Sequence, residues 1–117
     1  MRHKKKNLKM NRQRDERASI LRNLATSIVL FEKVTTTSAK AKQVQPVVEH
    51  LITIAKEKTT LSAIRQIGAV VLDKNAGKKL IEVLKERYKE RKGGYTRIIK
   101  VGLRKGDAAE QVSIQLV

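Results

Sequence analysis

Apolar residues Ala18, Leu21, Leu24, Ala25, Ile28 and Phe31 recur at steps of three and four along residues 14 to 31. That spacing predicts a helix with one buried face, with Phe31 in the core and Arg14, Arg17 and Arg22 on the opposite side. "KVTTTS" at 33–38 is rich in Val and Thr and reads as a short strand. A second helical pattern spans about 39–57, with Val44, Val47, Val48, Leu51, Ile52 and Ala55 on one side. Pro46 lies inside it and lacks a backbone donor, which predicts a bend near 42–46 or a fresh start close to Pro46. Thr60 is placed to cap a third helix at 61–72. Asp73 is placed to cap a fourth at about 74–90, where Leu80, Ile81, Leu84 and Tyr88 share a face.

The periodicity then changes. Gly93-Gly94 closes the last helix, and "YTRIIKVGL" alternates, with Tyr95, Arg97, Ile99 and Val101 on one side and Thr96, Ile98 and Lys100 on the other. "QVSIQLV" alternates as well, and "RKGDAAE" between the two carries the Gly-Asp expected of a loop joining antiparallel strands. The expected fold is α+β: about four helices packed on one face of a small three-stranded sheet. Residues 14–117 form the single domain. Residues 1–13 form an extended basic arm outside it, because nothing in "MRHKKKNLKMNRQ" supplies an apolar face.

Charge changes the picture most. The 117 residues carry 27 Lys and Arg against 11 Asp and Glu, a formal net charge of +16. The surplus is concentrated at the ends: residues 1–17 hold eight basic and two acidic side chains, and residues 91–117 hold six and two. A field of this strength calls for a polyanion, and nucleic acid is the default. No Cys is present, so disulfide and thiolate chemistry are excluded. The longest apolar runs are four residues, Ile28–Phe31 and Ala69–Leu72, so no membrane span is expected. A mitochondrial presequence is disfavoured by Asp15 and Glu16.

Catalytic signals are weak. His3 and His50 have no second His at ligand spacing, and neither a metal nor a cofactor is expected. "AGKK" at 76–79 lacks the first glycine and the terminal Ser or Thr of a phosphate loop. Lys78, Lys79, Lys85 and Lys89, interleaved with Glu82, Glu86 and Glu90, suit a solvated helix face with pairs four residues apart. Only three aromatics exist, too few for reading single strands by base stacking. The inventory instead suits phosphate and shape recognition, with Lys and Arg for charge, and Thr and Asn for hydrogen bonds. Arg14, Lys6 and Lys105 join the expected interface on charge and position. A free, sequence-indifferent nucleic-acid chaperone or nucleoid protein is an alternative from another class.

Several stretches occur together in order: "MRHKK", "NR" at 11–12, "RNLATS" at 22–27, "TT" before "KAK" at 40–42, "LITIAK" at 51–56, "GGYTRIIK" at 93–100 and "RKGDAA" at 104–109. Together they resemble the bacterial large-subunit ribosomal protein seventeen family over the whole chain. The resemblance implies a non-enzymatic structural constituent of the large ribosomal subunit, in the cytoplasm. It would bind and stabilise folded ribosomal RNA near the exit-tunnel side, beside neighbouring large-subunit ribosomal proteins, with no membrane or small-molecule substrate. Position by position, it implies RNA-binding roles for Arg2, His3, Lys4, Lys5, Lys9, Arg12, Arg17, Arg22 and Asn23. Thr35, Thr36, Lys40, Lys42, Tyr95, Thr96, Arg97, Lys100 and Arg104 follow from its later motifs. Leu8, Glu16, Phe31 and "VQP" at 44–46 depart from the family pattern, which puts RNA contacts at 8, 16, 45 and 46 in doubt.

Overall fold

The computed structural model describes His3 and residues 10–117. Helix α1 runs Arg14–Phe31, strand β1 Lys33–Thr37, helix α2 Ser38–Glu57 and helix α3 Thr60–Gly68. Helix α4 begins as an α-helix over Lys74–Lys79, widens to π geometry over Leu80–Leu84 and ends with one turn at Lys85–Arg87. Strands β2, Thr96–Leu103, and β3, Glu110–Leu116, complete an antiparallel sheet of order β1-β3-β2. This is the expected α+β arrangement.

Helix α2 is the centre of the core. Its Ala41, Val44, Val48, Leu51, Ile52 and Ala55 are buried against Ala25, Ile28 and Val29 of α1, Ala63 and Ile67 of α3, and Leu80 and Leu84 of α4. The sheet closes the core through Val112 and Ile114, with Val34 and Ile98 packed beside them. Because strand side chains alternate between faces, the same pleat turns Lys33, Thr35, Ser113, Gln115, Arg97 and Ile99 to the face that the helices do not cover.

Four local expectations need correction, and one of the two alternatives at Pro46 is set aside. Phe31 is 71% exposed: α1 ends there, and the left-handed turn at Glu32 (φ 62°) carries the chain into β1 and leaves the ring outside the core. The cap of α3 is Thr59, whose side chain accepts from the Ser62 amide, and the helix stops at Gly68 rather than 72. Helix α4 ends at Arg87, before the glycines, and Tyr88–Glu90 form turns. No new helix starts at Pro46, because α2 is one helix from Ser38 to Glu57 with the exposed proline inside it. Lys79 pairs with Glu32 of the α1–β1 corner at 2.8 Å, and among the described residues no charge pair joins Lys and Glu four apart on α4. Asp73 does cap α4, accepting from the Asn75 amide at 2.8 Å.

Candidate nucleic-acid interface

Local bonds decide which basic groups are free to meet a ligand. Arg22 is committed in part, since its Nε donates to the Val70 carbonyl at 3.0 Å and ties α1 to the segment after α3. Thr26 reinforces the tie by accepting from the Leu72 amide at 3.2 Å. Arg104 is held across the β2–β3 turn by Asp107, with contacts of 3.1 and 2.5 Å. The same carboxylate accepts from the Ala109 amide at 3.2 Å, and the Arg104 guanidinium lowers its pKa to about 2. Gly106 at the tip takes φ 99°, a conformation that side-chain-bearing residues avoid. Lys100 makes only a 3.7 Å contact with Glu110 and is 87% exposed.

Tyr95 and Thr96 are buried, 4% and 8% exposed. The Tyr95 hydroxyl accepts from Lys56 Nζ at 2.9 Å and donates to the Arg91 carbonyl at 3.3 Å, while its ring lies 5.2 Å from that of Tyr88. The Thr96 hydroxyl donates to Glu49 Oε1 at 2.9 Å and accepts from Gln45 Nε2 at 3.0 Å. Both residues therefore anchor the start of β2 to α2. The next side chain, Arg97, is turned outward and exposed. Arg91 shapes the approach to the strand, its Nε donating to the carbonyls of Gly93 and Gly94 at 3.1 and 3.2 Å.

The other cations of the expected interface fall on three surfaces. Arg12 and Arg14 are exposed at the start of α1, with Arg17 half-buried and Asn23 exposed nearly two turns beyond it. Lys40 and Lys42 lie in the first turns of α2, which has no acidic residue in its opening turn, so side-chain charge and helix dipole share one sign there. The third surface is the sheet. Thr35 and Arg97 reach its open face from opposite edges, whereas Thr36 points inward and Lys105 is exposed at the hairpin tip. His3 is exposed. Arg2, Lys4, Lys5, Lys6 and Lys9 lie outside the described residues. Among the described residues no three His, Cys, Asp or Glu side chains gather as a metal site, and no helix is long and apolar enough to cross a membrane.

The model of the family described as "Ribosomal protein L17" matches residues 20–117, which include every helix but the first turns of α1 and all three strands. The chain belongs to the ribosomal protein L17 family. Among its relatives is the large ribosomal subunit protein bL17 of Solibacter usitatus, 51% identical over 117 residues, all of this chain and 77% of the relative. The bL17 of Exiguobacterium sp. is 48% identical over 114 residues, 93% of this chain and 97% of the relative. That of Desulforudis audaxviator is 47% identical over 103 residues, 88% of this chain and 91% of the relative. The basic residues of this L17-family chain thus sit on a fold whose named relatives are ribosomal.

Sequence reading missed two members of the third surface. Lys33 and Gln115 pair across β1 and β3 and continue to Arg97 on β2, forming one row. Lys33 carried a signal, an unpaired charge opening a strand. Gln115 carried none, because its position depends on which strands pair.

Proposed function

We propose that this chain is a structural constituent of the large ribosomal subunit, binding and stabilising folded ribosomal RNA near the exit-tunnel side, with neighbouring ribosomal proteins as its other partners. It acts in the cytoplasm, on the ribosome. The observation that carries the reading is the combination of L17-family membership with exposed cations on three surfaces of one small domain. Such a domain neutralises phosphates and recognises the shape of the RNA, and needs no catalytic group. Residues 1–13 form the arm in this reading and residues 14–117 the body. Arg2, Lys4, Lys5, Lys6, Lys9, Arg12, Arg14, Arg17, Lys40, Lys42, Arg97 and Lys105 contact RNA directly, while Arg22, Tyr95 and Thr96 act by holding the elements that present them.

The test is sedimentation of a cell lysate in moderate salt, followed by quantification of the protein across the gradient. Co-sedimentation with large subunits at about one copy each is expected. A mostly free pool with equal affinity for duplex DNA would instead support the chaperone reading.

A further inference from the structure

The open face of the sheet has a composition of its own. Two lateral rows cross all three strands: Lys33–Gln115–Arg97 and Thr35–Ser113–Ile99. Strands lie about 4.8 Å apart, so the two cations of the first row stand roughly 10 Å from each other at the backbone, on opposite edges. Neither has a carboxylate within 4 Å among the described residues, and no acidic residue occupies a position in either row. Between the cations lies the Gln115 amide, and the adjacent row adds the hydroxyls of Thr35 and Ser113.

Ser113, at the middle of the face, is 4% exposed and its Oγ has no hydrogen-bond partner. Its neighbours Val112 and Ile114 point into the core, so its own side chain is directed away from the helices. Native proteins rarely leave such a group unmet, and a partner from outside the chain would complete it. Among the described residues no aromatic occupies a position in either row, and Tyr88 and Tyr95 are buried.

We propose that this face docks on the minor groove of an A-form RNA duplex. The inference rests on the RNA-binding reading above and narrows it to one class of RNA and one surface. Lys33 and Arg97 meet phosphates on the two strands bordering the groove. Thr35, Ser113 and Gln115 meet ribose 2′-hydroxyls between them, which serve as both donors and acceptors. A wide, shallow groove suits a flat sheet, and the absence of a stacking ring argues against splayed single strands. Ser113 is 4% exposed in the free protein, so this contact requires the side chains around it to shift on docking.

The test uses the full chain, a 20-base-pair RNA duplex of mixed sequence, and the DNA duplex of the same sequence. The double variant Lys33→Gln with Arg97→Gln is compared with Lys74→Gln with Lys78→Gln, which removes the same charge from exposed positions on α4. The sheet variant is expected to lower RNA affinity about tenfold and to flatten the salt dependence by a slope of about 1.5, the helix variant by less than 0.5. Ser113→Ala is expected to lower affinity for the RNA duplex about three- to tenfold and for the DNA duplex less than twofold. Its unfolding midpoint should not fall, because the free protein loses no hydrogen bond.

Equal losses in the two double variants, or no RNA-selective loss in Ser113→Ala, would overturn the assignment. So would a sheet variant that keeps its RNA affinity but loses a neighbouring ribosomal protein on subunit reconstitution. Wild-type binding to purified large-subunit ribosomal RNA, measured in parallel, separates the two readings: its absence removes the RNA function itself, and its presence with unaffected variants removes only this face.

Discussion

Arg87 holds Glu32 with two parallel bonds of 2.9 Å across 55 positions of sequence, and Lys79 reaches the same carboxylate at 2.8 Å. Glu32 is where α1 ends and turns toward β1, and its carbonyl accepts from the Leu116 amide of β3 at 2.9 Å. Lys79 also donates to the Leu30 carbonyl at 3.1 Å. One acidic residue therefore joins α1, α4 and the sheet. Its carboxylate uses two cations that charge counting alone would assign to a ligand, and its carbonyl takes the Leu116 amide.

The clamp titrates. The Arg87 hydrogen bonds, then that from Lys79, lower the Glu32 carboxyl from 4.5 to about 2. A lowered folded pKa stabilises above the unfolded value, and the contribution is lost as pH falls from about 4.5 toward 2. Glu32→Gln should cost about 1 kcal/mol at pH 7, the modest figure expected of a partly exposed pair. The cost should vanish near pH 2. Denaturant unfolding at both pH values checks this, and an undiminished difference at pH 2 would refute it.

Tyr95 separates packing from hydrogen bonding. Tyr95→Phe keeps the ring beside Tyr88 and removes the hydroxyl shared with Lys56 and Arg91, so a loss of about 1 kcal/mol is expected. Tyr95→Ala also leaves a cavity beneath β2 and should cost about 3–5 kcal/mol. A Phe variant as damaging as the Ala variant would show that the hydroxyl, not the ring, holds the strand.

The helices were legible because their apolar residues repeat locally: Ile28, Val44, Leu51, Leu80 and Leu84 were all placed in the core by spacing alone. What depended on distant partners was not. The alternation of β2 put Tyr95 on the side of Arg97, but Tyr95 precedes the strand and is drawn inward by Lys56. Thr96 looked like a polar motif residue until Gln45 and Glu49 of α2 were found beside it. Phe31 had the correct helical phase for burial, yet its helix ends at the residue itself, and phase cannot show that.

Pro46 offers a gain in stability. It sits exposed within one unbroken helix and supplies no amide, so Pro46→Ala restores a donor and relieves the ring's crowding of the preceding turn. Part of the gain is offset, since alanine leaves the unfolded chain freer. A net increase of about 2 kcal/mol is expected, read as a higher denaturant midpoint. A decrease would mean that the core packing of Val44 and Val48 requires the proline's geometry.

The arm makes the last prediction, and it concerns charge alone. Deleting residues 2–9 removes Arg2, Lys4, Lys5, Lys6 and Lys9. If each neutralises a phosphate of the ribosomal RNA, the slope of log affinity against log salt should shrink by about three to five. Tyr95→Phe is the control: it removes no charge and releases no counterion, so its slope should match the wild type even if its affinity falls. The stability of the body should be unchanged by the deletion, because among the described residues the buried core runs from Ala25 to Ile114. A truncated chain that kept the full salt slope would show that the phosphates are met elsewhere, leaving the five deleted cations without a role in binding.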